Sequence, residues 1–320
     1  MCNSFLIPLA GWARMKTRKL GRTDLEVSEI GFGALEIGRP WGLPIEGDFA
    51  IPSERDVEVL LDRLLELGIN FIDTAPAYML SEERLGRLLK HRRKELYLAS
   101  KCGEYFDGYE SRYDFSTAGT LQFIETSLKR LQTDYLDLVQ IHCGPDEAEI
   151  IRRGEALEGM LRAKRQGKAR WVGASCEVDG ARAALEMNAY DVLQLPYSLL
   201  CRLIEGKDPS GDSALSRAAR LGVGIIAREP LARGKLTDKI RQAPDGDAAV
   251  QKAQALLGRL AQRGVGTPLS QIAIQFVLRR PEVGMVLVGT RNARHLEDAV
   301  QAAARPLDTE LLAELEAWPV

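Results

Sequence analysis

FIDTAPAYMLSEERLG, residues 71–86, changes character twice within a few positions. An apolar run stops at an acid, Asp73; an Ala-Pro-Ala segment then carries the chain to a phenol, Tyr78; charges and a leucine follow with helical spacing. A short apolar run bounded by turn residues suits a strand buried on both faces, as in parallel sheets. The stretch therefore reads as strand, loop and helix, with Ser81 the expected helix N-cap. It leaves two titratable groups on the loop side of the strand.

Outward from this stretch the same unit recurs. Short apolar runs of strand length lie at 30–34, 69–73, 96–100, 136–141, 169–174, 192–195, 223–227 and 285–288. Between them the spacing is helical: Val57, Leu60, Leu61, Leu64 and Leu65 share one face, as do Leu121, Ile124, Leu128 and Leu131. Pro268 is expected in the first turn of a later helix, where its missing N–H costs nothing. Strands alternating with helices imply right-handed βαβ units, and eight of them over roughly 280 residues fit a closed (β/α)8 TIM barrel. LGRTDLEVSEIG, residues 20–31, predicts a β-hairpin capping the barrel floor. The stretch 230–266 predicts an elaborated late loop with an extra helix. Residues 15–320 are expected to form one domain, and residues 1–14, ahead of a second candidate start at Met15, an extension outside it.

Composition narrows the function. With 45% hydrophobic and 28% charged residues the chain can bury a large core and has the makeup of a folded soluble protein. A net charge of −2 without a basic stripe argues against a nucleic-acid partner, which needs cations to neutralise its phosphates. No apolar run reaches membrane-spanning length, and the N-terminal residues lack the basic start of a secretory signal. Five cysteines without a C-x-x-C pair predict free thiols in a reducing, cytoplasmic compartment. Three histidines, His91, His142 and His295, stand far apart, so no metal site is expected. Oligomeric state has no signature.

Barrels carry their chemistry at the C-terminal ends of the strands. Asp73 ends the second strand, Lys101 the third (LASK) and His142 the fourth (QIH); Ser175 ends the fifth, and Gln194 lies near the end of the sixth. Singly, each has an ordinary role: a helix cap, a surface charge, a satisfied core histidine. Together, at successive strand ends, they converge on one mouth. A phenol with a pKa of about 10 is a poor acid near neutrality, and a neighbouring ammonium lowers that value. Lys101 is the expected source, kept cationic by Asp73. His142 is placed to orient a carbonyl oxygen and to hydrogen-bond it as charge develops. No nucleophile or metal-ligand set accompanies these groups, so the electrons are expected from a cofactor, and hydride transfer to a carbonyl fits.

This combination resembles the aldo-keto reductase superfamily over nearly the whole chain. FIDTAPAY is similar to that family's Asp-Thr-Ala-x-x-Tyr segment, LASK and LVQIH to its lysine and histidine strands, and TDYLDL, ending in the segment around Asp137, to the approach to that histidine. The resemblance implies NADP(H)-dependent reduction of an aldehyde or ketone, sugars included, with Tyr78 as general acid, Lys101 and Asp73 tuning it, and His142 positioning the carbonyl. It implies nicotinamide contacts from Ser175 and Gln194 and from Cys176, which stands where the family has asparagine; the backbone at Gly33 and Ala34 is expected to pass close by. Many members have Tyr-Ser-Pro-Leu where this chain has AREPLARG, which assigns Arg228, Pro230, Leu231 and Arg233 to the cofactor. Arg228 would lay its guanidinium against the nicotinamide and favour the reduced form.

In VLVGTRNARHLEDA the eighth strand feeds a helix N-terminus, an anion-binding arrangement. Gly289, Thr290, Arg291, His295 and Asp298 are expected cofactor contacts there, and the basic cluster suits a 2′-phosphate, so NADP(H) is expected in preference to NAD(H). His295 and Ala299 depart from the family's usual Gln or Arg and Asn. Substrate contacts fall to loop aromatics: Trp41 in RPWGLP, then Tyr105 and Phe106 after the third strand. The family also includes cofactor-binding regulatory subunits with slow turnover, the second reading; a metal-dependent barrel hydrolase or lyase is a third, disfavoured by the histidine count. The letters G-x-G-x-x-A at 222–227 begin a strand instead of following one, so they make no dinucleotide fingerprint. Cys102, Cys143 and Cys176 each follow a candidate site residue, and strand alternation predicts their burial against the helices.

Overall fold

The computed structural model describes residues 15–41, 50–208, 211–243 and 247–319; the expected extension lies outside them. The described chain opens with an antiparallel hairpin, β1 (Thr17–Lys19) and β2 (Glu26–Ser28). Then come β3 (Ile30–Gly33), α1 (Glu54–Glu66), β4 (Phe71–Asp73), α2 (Ser81–Leu89) and β5 (Tyr97–Cys102). A second hairpin, β6 (Glu104–Phe106) with β7 (Ser111–Tyr113), precedes α3 (Thr117–Leu131) and β8 (Leu136–His142). The middle of the chain supplies α4 (Glu147–Arg153), α5 (Glu155–Arg165), β9 (Ala169–Ser175), α6 (Val178–Met187), β10 (Val192–Pro196), α7 (Ala214–Leu221) and β11 (Gly224–Arg228). It ends with α8 (Ala248–Gln262), α9 (Leu269–Leu278), β12 (Val283–Gly289), α10 (Ala293–Ala304) and α11 (Thr309–Ala317).

Strands β3, β4, β5, β8, β9, β10, β11 and β12 close into a parallel barrel, with β12 pairing back onto β3. This is the TIM barrel that the alternation predicts. The floor hairpin works as a plug: Leu20, Leu25 and Val27 are fully buried beneath the strands. Gly21 makes the turn possible, with φ +56 and no room for a side chain; a Cβ there would sit 2.2 Å from the Gly224 nitrogen. Above the plug, Phe71, Ala99, Leu138, Val192, Ile226 and Met285 fill the barrel interior. Because side chains alternate with period two, the next inward residues are Asp73, Lys101, Gln140, Gln194, Arg228 and Leu287. An apolar layer is thus followed by a largely polar one at the mouth. Asp137, on the opposite face of β8, instead ties Arg93 (2.7 Å) and Arg170 (2.6 Å).

Several local expectations change. Ser81 is the first residue of α2, and the cap position belongs to Leu80, which makes no side-chain cap bond. Ser81 Oγ is occupied elsewhere, donating to the Ala34 carbonyl at 2.8 Å and lying 2.9 Å from Thr74 Oγ1. Pro268 is the N-cap residue of α9 and does not enter its first turn. Hairpin β6/β7 was not expected, although Asp107-Gly108 is a turn signal: Asp107 Oδ1 accepts the N–H groups of Tyr109 and Glu110. Among the cysteines, Cys102 and Cys176 are buried in the core around the barrel as expected, while Cys176 also lines the mouth together with half-buried Cys143. Both follow the last residue of their strands, where alternation no longer sets direction. Gly222 ends α7 in the left-handed region (φ 67) and opens no helix.

Candidate active site

Strand β4 delivers Asp73, and the chain then turns sharply. The Thr74 N–H donates to the Ala99 carbonyl at 2.9 Å, a single 3-10 turn spans Pro76–Tyr78, and Met79 takes φ 52, ψ −106. Non-glycine residues rarely occupy that region, so the surroundings must hold the turn in place. They do so closely: at Gly38 a Cβ would sit 2.2 Å from the Tyr78 carbonyl oxygen. Tyr78 is thereby fixed over the polar layer.

Lys101 Nζ donates to Asp73 Oδ2 at 2.5 Å, to Tyr78 Oη at 3.2 Å and to the Thr74 carbonyl at 3.1 Å. Asp73 Oδ1 accepts from Gln140 Nε2 (2.8 Å) and Gln194 Nε2 (2.9 Å), so the carboxylate is fully hydrogen-bonded. Burial alone would discharge Lys101, but Asp73 and Tyr78 outweigh it and raise its pKa above the ordinary value. The expectation for Tyr78 needs correction. Burial pushes the phenol above its ordinary range; Lys101 pulls it down and Asp73 adds to the rise, leaving a net increase. Tyr78 therefore stays protonated until a strong base, such as an alkoxide, forms against it.

His142 meets Tyr78 edge-on, with ring centroids 6.1 Å apart. Its Nδ1 lies 2.6 Å from Glu104 Oε2, off the direction of an aligned hydrogen bond but at ion-pair distance. Burial lowers the imidazole pKa; Glu104 opposes this and Lys101 reinforces it. For Glu104, burial is outweighed by His142, Ser111 and Arg39, which bring its carboxyl down to about 2. Sequence reading missed both Glu104 and Gln140. Gln140 stood two residues before His142 on the same strand face, a legible signal; Glu104 depends on the short hairpin.

A cavity of about 1010 Å³ opens over this layer. Asp73, Tyr78, His142, Gly33, Ser175, Cys176 and Gln194 all reach its wall, and Ser175 Oγ donates to Gln194 Oε1 at 3.1 Å. Arg228 ends β11, and Pro230, Leu231 and Arg233 follow along the loop after it, in which Glu229, Ala232 and Arg233 have positive φ. Arg228 bonds to Glu177 (2.5 Å) and Glu229 (2.7 Å), so two carboxylates offset the charge expected to favour reduced nicotinamide. Arg233 sits 5.5 Å from the ring of Trp41, which also lines the cavity.

Gly289, Thr290, Arg291, His295 and Asp298 also line the cavity. There Thr290 Oγ1 lies 2.9 Å from His295 Nδ1, Arg291 donates to the Ala50 carbonyl, and Asn292 caps α10 by accepting from the Arg294 N–H. Three expected contacts are absent from the wall. Ala34 is fully buried behind it, with its carbonyl taken by Ser81. Tyr105 projects away because Glu104, its neighbour on β6, faces inward. Phe106 is covered by Arg39, whose guanidinium lies 3.5 Å from the ring centroid. Burial raises the thiol of Cys102 to about 12 and moves those of Cys143 and Cys176 upward as well. Among the described residues no cluster of His, Cys, Asp and Glu is arranged to hold a metal ion, and no helix is long and apolar enough to cross a membrane.

The model of the Aldo/keto reductase family matches residues 29–318. The chain is an aldo-keto reductase. It is similar to L-galactose dehydrogenase of Arabidopsis thaliana, 31% identical over 95% of this chain and 94% of that protein. It is also similar to aldo-keto reductase YhdN of Bacillus subtilis, 30% identical over 92% of this chain and 91% of that one. Among solved structures, the holo form of an aldo-keto reductase from Bacillus halodurans superposes with a TM-score of 0.80 at 30% identity, covering 96% of this chain and 97% of the other. The reductase is thus an oxidoreductase of carbonyl groups, in a family that uses nicotinamide cofactors.

Proposed function

We propose that this reductase interconverts an aldehyde or ketone and its alcohol with NADP(H), in preference to NAD(H), and that Asp73, Tyr78, Lys101 and His142 carry the reaction. The observation that bears most weight is Lys101, buried and within hydrogen-bond reach of both Asp73 and Tyr78 on the cavity floor. The cavity also suits an elongated dinucleotide. The Ser175–Gln194 pair and Arg228, whose buried Nε has no partner among the described residues, line it, and so do Thr290 and Arg291. Ser175 and Gln194 would hold the carboxamide, Arg228 would flank the ring, and the segment from Gly289 to Asp298 would hold the adenosine phosphate.

When bound, the nicotinamide supplies the hydride. The remaining work falls to the chain. Tyr78 holds a proton on Oη and releases it as the substrate oxygen becomes basic; proton delivery of this kind is worth ~10²–10⁴ in rate. Lys101 stabilises the phenolate left behind, and Asp73 keeps Lys101 charged. His142 orients the substrate oxygen. Trp41, which lines the cavity with Arg233 beside its ring, is the remaining candidate substrate contact. The described cysteines are free thiols, which agrees with a reducing compartment such as the cytoplasm.

A panel of aldehydes, ketones and aldoses, assayed with NADPH and with NADH, tests this reading. Oxidation of NADPH by at least one carbonyl is expected. No oxidation across the panel would overturn it and favour a cofactor-binding regulatory subunit.

A further inference from the structure

The contact between Glu104 and His142 has a chemical consequence for the proposed reaction. A neutral imidazole carries one proton, on Nδ1 or Nε2, and the bare nitrogen can only accept. Glu104 Oε2 lies 2.6 Å from Nδ1. The other carboxylate oxygen already accepts a hydrogen bond from Ser111 Oγ at 2.5 Å. An ionised carboxylate held this close to a bare ring nitrogen would set two lone pairs against each other; a proton on Nδ1 turns that repulsion into attraction. Nδ1 itself is buried, at ion-pair distance from Glu104 without an aligned hydrogen bond, whereas His142 lines the cavity, so the ring meets it by the side that carries Nε2.

We infer that Glu104 fixes the proton of neutral His142 on Nδ1, so that Nε2 meets the substrate oxygen as an acceptor, and that His142 donates to a carbonyl only after binding a second proton. The inference rests on the reading that carbonyl and alcohol react beside Tyr78 and His142. Glu104 is then a positioning residue, acting through His142.

The groups around His142 favour this arrangement. Lys101 on β5 and Asp73 on β4 affect it electrostatically, Tyr78 meets it edge-on, Arg39 supports the charge of Glu104, and Glu104 on β6 is the acid at its ring nitrogen. Burial, reinforced by Lys101, keeps the imidazole below its usual range, so the neutral form prevails near neutrality. In that form Nε2 accepts the O–H of a bound alcohol, which suits oxidation. Toward acid the imidazolium forms, both nitrogens donate, and carbonyl reduction gains its second hydrogen bond. The proton balance is unchanged: carbonyl, hydride and one proton from Tyr78 give the alcohol, and the second proton on His142 is not consumed.

Glu104→Gln separates the alternatives, because the amide donates to a bare Nδ1 and lets the neutral ring carry its proton on Nε2. The direct measurement is nitrogen-15 NMR of the ring tautomer in full-length protein saturated with NADP⁺. Only three histidines contribute, and a His142→Asn variant assigns the signal. The neutral wild-type ring is expected as Nδ1–H and the Glu104→Gln ring as Nε2–H. In parallel, kcat/KM for reduction of 4-nitrobenzaldehyde by NADPH should fall about tenfold per pH unit above the His142 pKa in wild type. That limb should disappear in Glu104→Gln. An Nε2–H tautomer in wild type, or a limb unchanged in Glu104→Gln, overturns the inference. The wild-type spectrum decides the matter even if the variant misfolds. Failure of every carbonyl to turn over would sink the reductase reading, while the tautomer would still be read independently.

Discussion

Replacing Lys101 with methionine keeps much of the side-chain volume and deletes one charge. At 3.2 Å from Tyr78 Oη and an effective dielectric of about 20, an ammonium attracts a full phenolate by about 5 kcal/mol. With the proton roughly half transferred, about half of that is at stake in the transition state, which corresponds to a loss on the order of 10² in rate. Stability should suffer separately. Asp73 Oδ1 keeps its two glutamine donors, but Oδ2 loses its partner, and breaking a buried pair from one side costs ~3–5 kcal/mol. Asp73→Asn in the same chain removes the stranded charge, so the double variant should recover most of the stability and none of the rate. Single-turnover oxidation of NADPH, followed by absorbance, reads the first quantity, and urea unfolding reads the second. A Lys101→Met enzyme within about threefold of wild-type rate, or a double variant that regains activity, would refute the argument that the ammonium acts on Tyr78.

Gly38→Ala places a methyl against the Tyr78 turn, 2.2 Å from its carbonyl oxygen before relaxation, and should cost ~1–3 kcal/mol in unfolding free energy together with a lower kcat. Unchanged kcat in a folded variant would show that the turn is not held from this side. Arg291→Ala should weaken NADPH binding roughly tenfold and leave NADH binding nearly unchanged, as one charge-assisted contact implies; equal losses in calorimetry would remove the 2′-phosphate assignment. Acid unfolding should register Glu104. Its pKa is lower folded than unfolded, so its contribution is complete above about 4.5 and is lost as the pH falls toward about 2. Urea midpoints of wild type and Glu104→Gln should therefore converge over that window, and a constant difference would contradict the assignment.

Much of the fold and part of the site were legible in the chain. Eight apolar runs separated by amphipathic stretches determined a closed barrel, because strands buried on both faces have no other partner than each other and the helices around them. Period-two alternation then determined that Asp73, Lys101 and His142 point inward at strand ends. What alternation leaves open is distance and direction beyond the strands. The stagger of the barrel sets Lys101 between Asp73 and Tyr78, although the register partner of Asp73 is Ala99. Tertiary structure alone decided the net protonation tendency of Tyr78, since burial competes with the lysine charge and only the folded molecule fixes both. It also decided the placement of Cys143, Cys176, Tyr105 and Phe106, which lie past strand ends or on a hairpin of three-residue strands. Glu104 belongs to the same class: its role arises where that hairpin folds back over β8, a contact made by packing and absent from any local pattern in the sequence.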